Sequence, residues 1–432
     1  MKFIPVKGTR DFYPESMRLR NWITETWRRV SLRNGFEEYD SPIFEYLDLF
    51  TAKSGHEIAE QLFSFTDRGG RNLAIRPEIT PSLARMINAK INSLPRPIKW
   101  FSLPRLCRAE NPQKGRLREF FQWNIDIIGV ESELADAECI LVAVDALREM
   151  GLGADDVEMR IGSRPLTMAM LKAAGVPGES FEGVLGVLDK RPKVSEKEFQ
   201  DLASKVGLDG KQIDAMRDFQ DVPDIKTLET LAKGEKYFSG CQKDVDRISM
   251  LWGQLEDFGI ADYCRLDMRI VRGLAYYTGI VYEVFGRGES LRAVAGGGRY
   301  DNLLEIMGGP KIAATGFGMG DVVLEILLRE KGCVPDLARP VDLFVIDGED
   351  GAMAAVTAVV GRLRADGVAA EFSYKRQGVG KQLKEANRQG ARAAAIVRAG
   401  NVTVKDMATG RQQDRRLDEF LSDPLAGLSD RR

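Results

Sequence analysis

The chain has 432 residues, of which 44% are hydrophobic and 29% are charged, and its formal net charge is −2. This composition predicts a globular protein of two or three domains, and it argues against a disordered chain, a coiled coil or a uniformly basic nucleic-acid binder. A locally basic face is still allowed, so charge has to be considered element by element.

The single histidine, His56, limits the chemistry. Ser-His-Asp hydrolases, Cys-His proteases and His-ligated metal enzymes each need an imidazole beside the reacting atoms. We therefore predict none of these classes, and we interpret His56 as a loop residue. No protein side chain is predicted as a metal ligand.

The five cysteines are scattered and contain no C-x-x-C pair, which predicts reduced thiols in a cytoplasmic protein. No apolar run has membrane-spanning length, and the N-terminus lacks the apolar core of a signal peptide. We expect a cytoplasmic protein without a membrane anchor.

The first hundred residues predict a helix over 14–34, an extended segment over 36–45, and a hairpin with a glycine turn over 63–76. Pro42 interrupts the extended segment, which favours a sheet edge or a dimer contact. A second helix begins near residue 80, and Glu78 and Thr80 are typical of a helix N-terminus as well as of a ligand site.

The strongest local signal is a predicted strand over 98–108, a polar loop over 111–116 and a returning strand over 119–129. With a period of two, the returning strand has an apolar face and a second face that carries Phe120, Gln122, Asn124 and Asp126. Arg108 and Glu110 are expected on one face of the outgoing strand. A solvated face is one interpretation. Because Asn and Asp are poor strand formers, we favour the other, in which this face lines a ligand-binding site.

Further on, the sequence predicts a helix over 132–150 and a helical insertion over 166–262. Arg272 then precedes Tyr276, Tyr277 and a short strand, so a guanidinium lies at a glycine-flanked strand entrance that suits an anion. By themselves, two tyrosines before an apolar strand are more typical of cross-strand packing than of ligand contact. Two glycine-rich stretches follow, over 295–298 and 314–320, and each is consistent either with a tight turn or with close approach of a ligand.

Residues 332–340 are predicted to link to a small α/β domain over 341–432, in which strands and helices alternate. Residues 375–416 contain eleven Lys or Arg and three acids, a local charge of +8. Lys381, Lys384 and Arg388 fall on one face of a predicted helix. A solvated face is possible, but this asymmetry favours contact with a phosphate backbone.

Several of these stretches, in this order, resemble the histidine–tRNA ligase family of class II aminoacyl-tRNA synthetases. The resemblance covers nearly the whole chain and rests on these stretches: residues 8–11, the Pro42 segment, residues 76–80, 108–116, 271–283, 297–301 and the C-terminal domain.

The resemblance implies an α+β catalytic domain, with an antiparallel sheet flanked by helices, in two parts over 1–165 and 263–331. It implies activation of L-histidine with ATP and Mg²⁺, transfer to tRNA(His), a homodimer and a C-terminal anticodon-binding domain. A different class is also open, namely a non-catalytic histidine-binding regulatory paralogue like the regulatory subunit of ATP phosphoribosyltransferase.

By position, the resemblance implies a set of binding residues. For histidine these are Glu78, Thr80, Arg108, Gln122, Asp126, Arg272, Tyr276, Tyr277 and Tyr300; for ATP they are Arg108, Glu110, Arg116 and Phe120; for tRNA they are Gln113, Lys114, Lys381, Lys384 and Arg388. Arg108 and Arg272 are implied as the catalytic residues.

Two positions depart from the family pattern. Val323 stands where the third class II motif usually has an arginine, and Ala275 stands where many members have Asp. We therefore expect the ATP site to differ from the family pattern near Val323.

Overall fold

The computed structural model describes residues 3–51, 62–191, 194–234, 241–270, 277–288, 292–337, 341–349, 353–375 and 377–428. His56, Arg272, Ala275 and Tyr276 lie outside the described residues. Contacts divide the chain into two compact units, Met1–Val334 and Pro335–Arg432.

The strands of the first unit form two sheets. They are β1 Glu37–Glu38, β2 Phe44–Tyr46, β3 Phe63–Thr66, β4 Asn72–Ile75, β5 Ile98–Ser102, β6 Arg105–Cys107, β7 Glu119–Ile128, β8 Val157–Ser163, β9 Cys264–Leu266, β10 Ile280–Gly286, β11 Ala295–Arg299 and β12 Ala314–Gly320. The large sheet has the order β1-β5-β7-β12-β11-β10-β8-β9, with β6 beside β7, and the small sheet has the order β2-β4-β3.

The large sheet is antiparallel except at its two ends, where β1 and β5 are parallel and β8 and β9 are parallel. Helices flank it. Those of the first unit are Pro14–Arg33, Leu47–Thr51, Thr80–Lys90, Leu134–Glu149, Arg164–Ala173, Phe181–Leu188, Glu196–Lys205, Gly210–Gln220, Ile225–Gly234, Gln242–Asp257, Leu303–Ile306 and Asp321–Glu330. The predicted fold class, an antiparallel sheet flanked by helices, is confirmed.

Strand β7 lies near the middle of the sheet and has two different faces. Its back face is apolar because Trp123 stacks on Trp27 of the helix Pro14–Arg33, with ring centroids 6.0 Å apart. The Trp123 indole N–H also donates to Ser31 Oγ at 2.9 Å, so the buried polar group is satisfied. The opposite face begins with Phe120 and carries the polar side chains, as the period of two predicted.

Two local predictions were wrong in detail. The outgoing strand over 98–108 is two short strands, because Pro104 has no N–H to donate to the ladder. Arg108 and Glu110 thus follow β6 instead of lying in it. Of the two interpretations of the glycine-rich stretches, the tight turn is wrong, because they form the strands β11 and β12. Strand β12 lies beside β7, and its glycines leave room for β7 side chains.

The helical insertion has a core of its own. Its helices bury an apolar cluster that reaches from Leu166 through Phe199 and Phe219 to Ile248. Residues of the Asp209 turn cap one helix with a capping box, in which the Asp209 carboxylate accepts from the Gln212 N–H. The predicted helix-rich character of residues 166–262 is confirmed.

The second unit is a five-stranded sheet with the order β14-β13-β15-β16-β17. Its strands are β13 Leu343–Asp347, β14 Ala370–Phe372, β15 Ala393–Arg398, β16 Asn401–Asp406 and β17 Gln412–Arg416, and its helices are Met353–Ala365, Val379–Arg388 and Leu417–Ser422. Leu343 packs with the helix Met353–Ala365, whereas Phe344 packs with the helix Val379–Arg388. Because neighbouring strand residues point to opposite faces, these two helices cover opposite sides of the sheet.

Candidate active site

A small polar pocket of about 60 Å³ lies on the front face of β7. Strands β11 and β12 and the segment before the helix Thr80–Lys90 close it. Its lining is mostly polar side chains and glycine backbone: Glu78, Thr80, Arg108, Gln122, Asn124, Asp126, Tyr277, Gly296, Tyr300, Gly316, Phe317 and Gly318.

Buried acids and phenols give this pocket its chemistry. Glu78, Asp126 and Tyr300 are all buried, and the Tyr300 hydroxyl donates a hydrogen bond to Asp126 Oδ1. Burial raises the pKa of Tyr277 well above its ordinary value, and the carboxylates of Glu78 and Asp126 raise that pKa further. Tyr277 therefore stays protonated. The buried carboxylates suit the ammonium and N–H groups of a ligand, and the Tyr277 hydroxyl can donate to a ligand atom that accepts a hydrogen bond.

A larger cavity of about 440 Å³ adjoins the small pocket and contains three arginines, Arg108, Arg116 and Arg292. The Arg108 Nε donates to the Pro77 carbonyl at 3.0 Å, and its guanidinium lies over the Phe120 ring at 5.1 Å. Arg116 Nε lies 2.7 Å from Glu110 Oε2. This cavity suits an anionic ligand with an aromatic part, because guanidinium groups bind phosphate and Phe120 offers a ring face.

The pocket and the cavity meet at a shared wall. Arg108, Gln122 and Tyr277 line both, together with Gly296 and Gly318. A ligand in the small pocket would therefore meet a ligand in the cavity beside the Arg108 guanidinium. This arrangement can hold a carboxylate against a phosphate, with a cation beside the developing charge.

Two glycines of β12 leave space for the polar side chains of β7 in the pocket. Gly316 pairs with Asp126, and an added Cβ at Gly316 would lie 2.5 Å from Asp126 Oδ1. Gly318 pairs with Asn124, and an added Cβ there would lie 2.6 Å from Gln122 Nε2. Gly316 has to be glycine, because its Cβ would also lie 2.3 Å from the Ile125 carbonyl, whereas a Cβ at Gly318 would instead force the flexible Gln122 side chain aside.

The N-terminal segment is joined by hydrogen bonds to the loop between β6 and β7. Arg118 N–H donates to the Gly8 carbonyl at 2.8 Å, and Arg10 Nη2 donates to the buried Asp321 Oδ2 at 2.5 Å. Asp321 Oδ1 accepts in turn from the Phe121 N–H at 2.9 Å. Residues 8–11 thus hold β7, the loop and the start of the helix Asp321–Glu330 together.

The residue Arg299 of the glycine motif does not reach the site. It is buried, and its Nη2 lies 2.6 Å from Asp136 Oδ2 and 2.8 Å from the Ser132 carbonyl. The pair braces β11 against the helix Leu134–Glu149 and so fixes the position of the following residue, Tyr300. This supporting role was not visible in the sequence.

Among the predicted histidine- and ATP-site residues, the described ones lie together around the pocket and the cavity. Sequence reasoning missed Arg292 and Glu283, which line the cavity, and it considered Asn124 only as a member of the polar face. Glu283 had a usable signal, a lone acid inside an apolar strand. Arg292 had none, because it precedes the glycine stretch without any pattern.

The predicted tRNA residues lie elsewhere. Gln113 and Lys114 are exposed at the tip of the β6–β7 loop, where Gln113 and Arg116 form a tight turn. In the second unit, Lys381, Lys384 and Arg388 are exposed on the helix Val379–Arg388 and line a cavity of about 400 Å³. Tyr374, 83% exposed, forms part of the same cavity, which is consequently cationic with an aromatic wall.

In the described part of the chain, no helix is both long and apolar enough to cross a membrane. The same residues contain no group of three or more His, Cys, Asp or Glu side chains placed to hold a metal ion.

Comparisons with known proteins agree with this geometry. A family model described as histidyl-tRNA synthetase matches residues 8–321, and one described as an anticodon binding domain matches residues 341–423. The chloroplastic/mitochondrial histidine–tRNA ligase of Arabidopsis thaliana is 39% identical over 413 residues, which cover 94% of this chain and 84% of that protein. The histidine–tRNA ligase of Opitutus terrae is 39% identical over 423 residues, which cover 95% of each chain.

A solved structure supports the same fold. The histidyl-tRNA synthetase of Nostoc sp. PCC 7120 superimposes with a TM-score of 0.83 over 98% of this chain and 100% of that chain, at 24% sequence identity. At this identity the likeness concerns the fold alone.

Proposed function

The chain belongs to the histidyl-tRNA synthetase family and acts as a histidine–tRNA ligase, and on that premise we propose how its residues divide the work. It activates histidine with ATP to histidyl-adenylate and transfers the histidyl group to the 3′ end of tRNA(His). One observation carries the assignment of the site, namely that the small acidic pocket opens into the cationic cavity beside Arg108.

Histidine occupies the small pocket in this proposal. Glu78, Thr80 and Gln122 hold the α-ammonium group, and Asp126 with Tyr277 binds the imidazole. The Tyr300 hydrogen bond to Asp126 supports this assignment, since it holds the carboxylate in one orientation before the ligand arrives. Tyr276 and Arg272, whose roles rest on the family resemblance, complete the set.

ATP occupies the larger cavity, with Phe120 under the adenine and Arg108, Glu110 and Arg116 around the phosphates. Mg²⁺ would enter with ATP, and Glu110 and Glu283 are the cavity carboxylates that would hold it. The donor set fits, because Mg²⁺ in such sites is bound by one or two carboxylates together with substrate phosphates. Bound there, it would neutralise part of the phosphate charge.

The first step needs no general base, because the attacking histidine carboxylate is already ionised. A carboxylate oxygen forms a bond to the α-phosphorus, the bond from that phosphorus to the β-phosphate oxygen breaks, and pyrophosphate leaves. Arg108, at the junction, counters the charge that develops on the α-phosphate, and Arg272 is proposed for the same task. Catalysis thus depends on position and electrostatics, and the step needs no imidazole base.

We also propose two regions for tRNA contact. Gln113 and Lys114 at the tip of the β6–β7 loop are candidates for the acceptor end. In the second unit, Lys381, Lys384 and Arg388 are candidates for phosphates, and the exposed Tyr374 ring is a candidate for stacking on an unpaired base, because cationic grooves with aromatic faces suit single-stranded RNA.

A homodimer is proposed from an apolar surface on the small sheet. Ile43, Phe44, Tyr46 and Phe65 are all exposed there, and the Phe44 and Phe65 ring centroids are 6.4 Å apart. Clustered exposed aromatic residues are typical of an interface.

The five cysteines are free, which supports the proposed cytoplasmic location.

For the domains, we propose a catalytic domain in two parts, over 1–165 and 263–331, with the helical insertion over 166–262 between them. The linker over 332–340 then leads to the anticodon-binding domain over 341–432. The separate apolar core of the insertion supports its treatment as a unit.

Histidine-dependent ATP–pyrophosphate exchange on the purified protein, without tRNA, tests the proposal. We expect robust exchange that requires histidine. Histidine binding without exchange would instead favour the non-catalytic regulatory paralogue. That alternative is not favoured, because the match to histidine–tRNA ligases extends over nearly the whole chain and includes an anticodon binding domain.

A further inference from the structure

Arg292 lines the larger cavity and lies on the segment that leads into β11. Its Cδ lies 4.0 Å from the position that a Cβ on Gly115 would take, and Val323 Cγ2 lies 3.2 Å from the same point. Arg292 is therefore packed beside the tip of the β6–β7 loop and next to the apolar wall of Val322 and Val323.

The other two arginines of the cavity have partners within the protein. Arg116 pairs with Glu110 at 2.7 Å, and Arg108 donates to the Pro77 carbonyl. Within the ranges that the structure describes, no side chain or carbonyl accepts a hydrogen bond from the Arg292 guanidinium. Since the side chain lines the cavity, a ligand there can accept from its N–H donors.

The electrostatic surroundings of Arg292 favour an anion. Burial lowers the pKa of the guanidinium, and the neighbouring positive charges of Arg116 and Arg108 lower that pKa further, against the opposing effect of Glu110. The cavity contains three guanidinium groups against two carboxylates, those of Glu110 and Glu283, so a net positive charge remains for an anionic ligand.

We propose that Arg292 binds the terminal phosphates of ATP and is a further substrate-binding residue of the adenylation step. This inference rests on the proposed function, which assigns the cavity to ATP. It also accounts for the apolar Val323 of the helix Asp321–Glu330, since Arg292 brings a guanidinium to the same cavity from the segment before β11.

The geometry distinguishes the terminal phosphates from the α-phosphate. Arg108 lines both the small pocket and the cavity, so it stands where the histidine carboxylate meets the α-phosphorus. Arg292 lines the cavity but not the small pocket. Of the neighbouring charged groups, Arg116 has the largest effect on the pKa of Arg292. A polyphosphate that starts at Arg108 and extends away from histidine would end between Arg116 and Arg292.

Equilibrium binding of ATP, ADP and AMP to the full-length protein and to Arg292→Gln tests this inference. We expect the variant to bind ATP about 10- to 100-fold more weakly, which is typical for the loss of a charge-assisted bidentate contact, and to bind AMP as the wild type does. Arg292→Lys should recover part of the affinity, because it restores the charge without the planar fork.

Arg287→Gln is the matched control. It removes a guanidinium from the same connection between β10 and β11, but Arg287 Nε donates to the Ala154 carbonyl at 2.7 Å, outside the cavity. Equal affinities of wild type and Arg292→Gln for ATP, or an equal loss for ATP and AMP, would overturn the inference. Wild-type pyrophosphate exchange reports on the proposed function separately, so a failure of one does not imply a failure of the other.

Discussion

The small polar pocket of the first unit and the cationic helix face of the second unit both depend on charged side chains, but in the pocket the acids are buried and on the helix the cations are exposed. In the pocket, Asp126 and Glu78 are buried, and Tyr300 orients Asp126 before any ligand is present. On the helix Val379–Arg388, Lys381, Lys384 and Arg388 are exposed. Buried charges are screened little, whereas exposed charges are screened by water and salt. Ligand binding in the pocket should therefore be sensitive to single substitutions, whereas binding at the helix face should depend on the total charge of its residues.

The most sensitive test of the pocket is Asp126→Asn. It keeps the size of the side chain but removes the charge that accepts from Tyr300 and, in our proposal, from the imidazole. We expect kcat/KM for histidine in the exchange reaction to fall by about 10³-fold, because two hydrogen bonds to a buried charge are weakened at once. The KM for ATP should stay the same.

If the KM for ATP rose as much as that for histidine, Asp126 would act on the whole site and would not be specific for histidine. The melting temperature of the variant provides the check that the fold is retained.

A second test changes the pocket without touching a polar group. In Gly318→Ala the new methyl group would lie 2.6 Å from Gln122 Nε2, so the Gln122 side chain must move while the backbone can stay. We expect adenylation to slow by about 10²-fold, the cost of displacing a positioning group by roughly 1 Å.

Gly253→Ala is the control for this test, since nothing lies within 4 Å of a Cβ at Gly253 in the helix Gln242–Asp257. It should adenylate histidine at the wild-type rate. Equal rates for Gly318→Ala and wild type would show that Gln122 has room to remain in place, contrary to the close packing described above.

For the helix face, we expect the triple variant Lys381→Gln, Lys384→Gln, Arg388→Gln to bind tRNA(His) about 30-fold more weakly at low salt. The slope of log affinity against log salt should become shallower by about 2, as expected when three phosphate contacts are lost. Filter binding over a salt series measures both quantities, and the rate of pyrophosphate exchange should not change.

Arg362→Gln with Arg364→Gln is the matched control, because those exposed arginines belong to the helix on the other side of the same sheet. If this pair altered the salt slope as strongly as the triple variant, tRNA contact would not be confined to the face of Val379–Arg388.

The smallest expected effect is that of Tyr374→Ala. Loss of one stacked base should weaken tRNA binding by about tenfold, in line with alanine substitutions at other stacking platforms. Since stacking involves no counterion release, the salt slope should remain that of the wild type. A changed slope would mean that Tyr374 acts by positioning its charged neighbours.

Much of the site was visible in the sequence because β7 obeys a strict period of two. Phe120, Gln122 and Asp126 were expected on one face, and the structure places them along the pocket and the cavity. The turn interpretation of the glycine stretches failed, because glycine frequency alone does not distinguish a turn from a strand that a ligand approaches. Arg292 could not be predicted as a site residue, because it belongs to no local sequence pattern.

The amino-acid sequence by itself determined the alternation of β7, the basic face of the helix Val379–Arg388 and the order of the motifs that mark the family. These are local properties, set by side-chain period and residue type. Only the tertiary structure decided that β12 lies beside β7 in the register that pairs Gly316 with Asp126, and that Arg292 and Arg108 line the same cavity. Such pairings join residues far apart in the chain, and they depend on how whole strands pack together, which no local pattern contains.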